Sequence, residues 1–244
     1  MAGELAGRVA LVTGVGRVGQ IGHAVAAGLG AAGARLVLAD RSAEILDERV
    51  REFAVARIGA APAPGDLTEP HAARAAVGLA EARFGGLDIV VNVAGGLTSY
   101  GPFEETDIAA FEREIAINLR TVFCVCQAAV PSLRRRGGGL IVNFTSIAVL
   151  QPQPNLAVYL AAKGGVAALT RALARELRGD GAGGGIRVNA LAPEAVRTST
   201  NVQDMGSEAK YVELSDVVRT VLWLASDEAR AVTGQIIPLV AGSR

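Results

Sequence analysis

The 244-residue chain is short of several residues that often announce a function, with two cysteines, two histidines and two lysines. Cys124 and Cys126 stand two apart in an apolar run that reads as helix, where positions i and i+2 do not face one another, and they are expected to be packed thiols. His23 and His71 are far apart and join no Cys/His/Asp group with ligand spacing, so no structural metal site is expected. An excess of one charge is missing too, since 24 basic residues balance 24 acidic ones. A nucleic-acid partner calls for a basic stripe that can release counterions, and none is expected here. The run Arg134, Arg135, Arg136 ahead of three glycines reads instead as the last turn of a helix, complementing its dipole. No stretch approaches 18 uninterrupted apolar residues, and the turn at Gly7 and Arg8 gives way at once to the apolar run Val9 to Val12. Neither a membrane span nor a signal peptide is expected, and the chain reads as cytoplasmic.

What is present is half apolar and one-fifth charged, enough for one large core and a single domain over residues 1–244. Short β-branched runs alternate with longer helical patterns, the signature of an α/β parallel sheet covered on both faces. Strands are expected at Val9 to Thr13, Arg35 to Ala39, Asp88 to Asn92, Leu140 to Thr145, Arg187 to Leu191 and Gln235 to Val240. A seventh near Gly59 to Pro64 contains Pro62 and Pro64, which cannot donate to a ladder, so it belongs at a sheet edge. Helices are expected near 20–32, 42–57, 69–84, 106–135, 155–178 and 214–226. Ile115 to Val130 and Leu156 to Leu173 are apolar nearly all the way round. A helix on a sheet needs one apolar stripe, so a second copy of the chain is expected to cover the rest, giving a dimer or tetramer.

The first strand runs into TGVGRVGQIG and then a helix, with Gly14, Gly16 and Gly19 in G-x-G-x-x-G register. A glycine turn between strand and helix offers backbone N–H groups and a dipole to a pyrophosphate, which makes this a dinucleotide site in a doubly wound, Rossmann-like, mostly parallel seven-stranded sheet. Asp40, 18 residues after Gly22, stands where a carboxylate accepts from the adenosine ribose hydroxyls. Its charge would repel a 2′-phosphate and favours NAD; Arg17 and Arg41 could still receive that phosphate, so NADP remains open. Asp40 can equally be read as the N-cap of the next helix, a role for which Ser42 competes. Tyr159 and Lys163 stand at i and i+4 on one helix face, where an ammonium can favour a phenolate whose ordinary pKa is near ~10. Arginine fills 22 of the 24 basic positions, yet this one is lysine, whose compact, point-like ammonium can sit beside a phenol in a way the planar guanidinium cannot.

These residues together resemble the short-chain dehydrogenase/reductase family, and the resemblance runs from the first strand to the C-terminus. Besides the glycine turn, GDLT at 65–68 is similar to the family's adenine contact, with Asp66 and Leu67, and NVAG at 92–95 to its Asn-Asn-Ala-Gly element, with Asn92, Ala94 and Gly95. Asn118, Ser146, Tyr159 and Lys163 match its catalytic four, and RVNALAPEAVRT at 187–198 and LASDEARAVTGQ at 224–235 complete the match. The resemblance implies reversible hydride transfer between nicotinamide and a carbonyl or secondary alcohol. Tyr159 would exchange the proton and Ser146 hold the substrate oxygen. Lys163 would lower the tyrosine pKa and anchor the nicotinamide ribose, while Asn118 keeps a relay water. Gly14, Gly16, Arg17, Gln20, Ile21, Pro193, Val196 and Thr198 would contact the cofactor, with Thr198 on the carboxamide.

The chain also departs from the family. Its glycine turn is two residues longer than the common form, with Gln20 where glycine is usual, a spacing that resembles the enoyl reductase branch; that branch places six residues between its Tyr and Lys, against three here. Glu194 follows Pro193 where glycine is usual, and can be read as selecting polar or cationic substrates or as a solvated loop carboxylate. Val149 replaces a glycine three residues after Ser146, and Val240-Ala241-Gly242 replaces the usual Val-Asp-Gly-Gly ending. A short substrate lid is expected near 198–214, and its few large apolar residues suit a small or polar substrate. Two other functions are open: a 3-oxoacyl carrier-protein reductase using NADPH, and a catalytically silent NAD(H)-binding sensor, which would have no need of all four catalytic residues.

Overall fold

A computed structural model describes residues 3–179 and 185–242. Its seven strands are β1 Val9–Thr13, β2 Arg35–Asp40, β3 Ala60–Pro64, β4 Ile89–Asn92, β5 Gly139–Phe144, β6 Ile186–Pro193 and β7 Ile236–Leu239. They form one sheet in the order β3-β2-β1-β4-β5-β6-β7, and every pair is parallel. Alternation along β1 divides the core: Ala10 and Val12 face one cluster, Val9 and Leu11 the other. The first cluster is closed by α1 Ile21–Ala31, α2 Ala43–Val55 and α8 Leu214–Ala225, the second by α3 Pro70–Phe84, α5 Thr121–Arg135 and α6 Ala157–Glu176.

Proline decides the edges as expected. Gly65 N–H bonds Asp40 O and Leu36 N–H bonds Gly59 O, so the odd-numbered residues of β3 face β2, and Pro62 and Pro64 turn their missing donors outward. Pro238 does the same on β7, whose inward residues are Gln235 and Leu239.

The helix expected over 106–135 is interrupted. It comprises α4 Ile108–Ile115, capped by Asp107, a π turn over Ala116–Arg120, and α5. In the π turn the Thr121 N–H bonds Ala116 O five residues back, which inserts one residue and rotates Asn118 into the interior. The run Ile108–Arg135 is long and apolar enough to cross a membrane, but its α5 portion packs against the sheet as a core helix. Both cysteines are buried free thiols on α5, and burial pushes the Cys126 thiol up to about 12. The arginines that end α5 are tied down beyond their dipole role. Arg135 pairs with Glu81, and Arg136 with the buried Asp88 at 3.1 Å.

Candidate active site

The chain leaves β1 toward β3 on one side and returns through β4 on the other. A crevice therefore opens at the C-terminal ends of β1 and β4, where the strand order reverses. It is a cleft of about 730 Å³ lined by the glycine turn, the end of β2, the segment after β3 and the segment after β4. Gly14 holds a left-handed φ of +73° and bonds Ala39 O through its N–H at 2.8 Å. A Cβ on Gly22 would lie 2.1 Å from Gly14 O, so α1 can begin against the turn only because this residue is glycine. No side chain caps α1, whose first N–H groups stay free to donate at the cleft. An uncapped helix N-terminus beneath a glycine turn fits the pyrophosphate of a dinucleotide.

Gly14, Gly16, Arg17, Gln20, Ile21, Asp40, Arg41, Asp66, Leu67, Ala94 and Gly95 all line this cleft. Asp40 receives the Gly16 N–H on Oδ2 at 2.9 Å and the Arg41 N–H on Oδ1 at 2.7 Å. The N-cap of α2 is Ser42, whose hydroxyl accepts from Ile45 N–H, so Asp40 is free of that role. Gln20 uses its side-chain amide elsewhere, donating to Ser199 at 2.8 Å and Thr200 at 2.9 Å. The backbone N–H and hydroxyl of Thr68 hold the Asp66 carboxyl below its ordinary range, with help from the Arg41 and Arg120 charges against the opposing effect of burial. Asn92 does not reach the cleft: its amide donates to Asn143 Oδ1 at 2.9 Å within the core. The rest of that motif is placed by Thr13, whose hydroxyl accepts the N–H groups of Val93 and Ala94, both at 3.0 Å.

Beyond one end of the cleft lie the four residues of the catalytic pattern. Ser146 ends the segment after β5 and caps a 3₁₀ turn, accepting from Ala148 N–H at 3.2 Å. It also hydrogen-bonds the half-buried phenol of Tyr159 from the first turn of α6. One turn on, Lys163 is 5% exposed, its ammonium 5.9 Å from the Tyr159 ring centroid and donating to Phe144 O at 3.1 Å. Burial lowers the Lys163 pKa to about 8, and Glu114 partly opposes the fall. Burial likewise raises the Tyr159 phenol above its ordinary value, the Ser146 hydrogen bond lowers it, and Glu114 raises it again. Burial and Glu114 thus act on the phenol against the lowering expected from Lys163 and the oxidised cofactor. Asn118 is buried, and its amide is taken up by Gly96 and Glu114.

Pro193 ends β6 and Val196 and Thr198 follow it, all outside the lining of the main cleft. Val196 bridges to Val212, and Thr198 caps α7 Ser199–Met205 by accepting from Asn201 N–H at 3.1 Å. Glu194 is half-buried, and its carboxylate accepts the Ala241 N–H at 2.7 Å and ties the C-terminal segment to β6. Over 198–214 the structure has α7, then Tyr211 and Val212, both buried, with Tyr211 donating to Asn201 O and Gly206 O. Sequence reasoning missed Thr13, Thr98 and Glu114. The available signal for Glu114 was its place four residues before Asn118, one helical turn away.

A doubly wound sheet with a glycine-turn cleft at its switch point, and a Ser, Tyr and Lys gathered beyond one end, defines a dinucleotide-dependent oxidoreductase. The model of the family described as enoyl-(acyl carrier protein) reductase matches residues 14–243. A probable galactose dehydrogenase of Rhizobium meliloti is 34% identical over 98% of this chain and 96% of its own length. A cyclohexanol dehydrogenase of an Acinetobacter species is 35% identical over 96% and 94%. A solved 7α-hydroxysteroid dehydrogenase, complexed with NADH and 7-oxo glycochenodeoxycholic acid, superposes with a TM-score of 0.88 at 29% identity, covering 96% of this chain and 93% of that one. The chain belongs to the short-chain dehydrogenase/reductase family. It is an oxidoreductase that acts between a secondary alcohol and its carbonyl with a nicotinamide cofactor.

Proposed function

We propose that the protein is an NAD(H)-dependent dehydrogenase of small or polar secondary alcohols, with Tyr159 as its proton-transfer residue. The observation that carries this reading is the grouping of Ser146, Tyr159 and the buried Lys163 beyond the end of the dinucleotide cleft. Bound nicotinamide supplies the two-electron chemistry. Tyr159 takes the hydroxyl proton of an alcohol or returns it to a carbonyl oxygen, its phenol within hydrogen-bond reach of the same oxygen as Ser146. Ser146 accepts from Ala148 N–H and gives its own hydrogen to the Tyr159 phenol, a hydrogen bond that the substrate oxygen would take over. Lys163, held between Phe144 O and the Tyr159 ring, places a positive charge beside the phenol and within the reach of a ribose. Asn118 fixes the segment after β4 through Gly96.

NAD is favoured over NADP because Asp40 is held by two backbone N–H groups at the end of β2, where its charge opposes a 2′-phosphate. Gly14, Gly16, Arg17, Ile21, Arg41, Asp66, Leu67, Ala94 and Gly95 form the rest of the cofactor wall, and Pro193, Val196 and Thr198 its nicotinamide end. The segment 198–214 acts as the substrate lid, and its polar residues Asn201, Gln203 and Asp204 suit a substrate of like polarity. Copies associate as a dimer or tetramer through the apolar faces of α4, α5 and α6. The free thiols suit the reducing cytoplasm.

The test is turnover of NAD and NADP with a panel that includes galactose and cyclohexanol. Tyr159→Phe should keep NADH affinity within a few-fold and lose turnover by about a thousandfold or more on any accepted substrate. Retained turnover in that variant removes Tyr159 from the mechanism, and stronger turnover with NADP than NAD removes the role given to Asp40.

A further inference from the structure

A carboxylate that has no place in the four-residue pattern is built into its support. Glu114 of α4 is 0% exposed. Its Oε1 accepts from Asn118 Nδ2 at 3.0 Å, and its Oε2 accepts the Thr98 N–H at 3.0 Å together with the Thr98 hydroxyl. Asn118 completes the clamp from the other side, donating to Gly96 O at 2.9 Å and accepting from Gly96 N–H at 3.0 Å. Gly95, Gly96 and Thr98 line the cleft, so one carboxylate and one amide fasten this wall to the π turn.

A buried carboxylate is tolerated when hydrogen bonds and an opposite charge replace its water. Three donors supply the hydrogen bonds. The charge comes from α6, which packs on α4 and brings Lys163 and Tyr159 within the field of Glu114. The remaining charged neighbours on its own helical run, Glu112, Arg113 and Arg120, are exposed, as is Tyr100 of the segment after β4.

We propose that Glu114 is a positioning residue: its carboxylate is the counter-charge that keeps Lys163 an ammonium at neutral pH, and the clamp that holds the Gly95–Thr98 wall of the cleft. The inference rests on the reading of Lys163 as the working ammonium. The sign is fixed by the fields involved. Burial alone drives the lysine toward the neutral amine, Glu114 opposes it, and loss of the carboxylate releases the full fall.

The composition makes this measurable without substrate or cofactor. With only Lys163 and Lys210 in the chain, protein labelled with ¹³C-lysine shows two side-chain signals, and Lys210→Arg assigns them. The wild-type Lys163 signal should titrate near pH 8. In E114Q the midpoint should fall by about one pH unit, within the range for loss of an opposite charge near a buried lysine. E114D should stay close to wild type. T98V, which removes a donor but no charge, should leave the midpoint in place. An unmoved midpoint in folded E114Q, or an equal fall in T98V, overturns the proposal. Should E114Q fail to fold while E114D folds, the double variant E114Q/K163M decides the matter. Removing both charges should restore folding, and a double variant that stays unfolded overturns the counter-charge role. Because no turnover is read, a negative result leaves the roles of Ser146 and Tyr159 standing, and an active Tyr159→Phe leaves the expected Lys163 midpoints unchanged.

Discussion

At the scale of one side chain, the burial of Lys163 couples stability to pH. Its pKa is about 8 in the fold against an ordinary 10.5, because burial strips the ammonium of water. Between these values the unfolded chain holds the proton and the folded chain does not, so this group makes stability rise as pH climbs from about 8 to 10.5. Below about 8 both states are protonated and its slope vanishes. Urea denaturation of wild type and Lys163→Met at pH 7 and pH 10 should show a more favourable stability change in the wild type than in the variant, the opposing contribution of the buried Cys126 being common to both. An identical change in both proteins contradicts the burial cost assigned to Lys163. The i, i+4 pairing of Tyr159 and Lys163 was legible in the chain, since it depends only on helical spacing. The direction of the phenol's shift was not, because it is decided by burial and by a carboxylate 45 residues away in sequence, Glu114.

At the scale of elements, the cleft depends on how closely α1 approaches the turn after β1. Gly22→Ala would place a methyl 2.1 Å from Gly14 O, which forces the helix start to move. Overpacking of this kind costs about 1–3 kcal/mol, or roughly 2–4 °C in Tm per kcal/mol for a chain of this size. NADH affinity, read by fluorescence titration, should fall about tenfold or more as the N–H groups at the turn lose their alignment. A variant with unchanged affinity would show that the approach of α1 does not shape the site. The existence of this turn was visible in the glycine spacing. The split of 106–135 into α4, a π turn and α5 was not, because Ala116 to Arg120 carries no proline or glycine; the interruption arises where Asn118 is drawn inward by Gly96 and Glu114.

At the scale of the whole molecule, the proposed assembly would use apolar surface that the fold leaves exposed. Phe111 of α4 and Phe123 of α5 stay exposed, Phe123 at 48%, and the outer face of α6 presents Ala157, Ala161, Ala168 and Ala172, small enough for a second helix to approach closely. Phe123→Arg combined with Ala168→Arg should convert the protein to a species near 25.0 kDa in sedimentation, with wild type at twice or four times that mass. A wild-type protein already near 25.0 kDa rules the association out. The chain alone determined the seven strands, the edge position of the proline-bearing β3, the glycine turn and the order of Ser146, Tyr159 and Lys163. Each is a local property, read from side-chain period, a missing N–H or a fixed spacing. Only the tertiary structure decided which distant groups meet. Glu114 comes within the electrostatic reach of Lys163, Glu194 accepts the Ala241 N–H, Asn92 turns into the core, and Gln20 reaches Ser199 across 179 positions. Buried polar groups take whatever partner the packing of the two helical layers brings within hydrogen-bond distance, and no local pattern encodes that geometry.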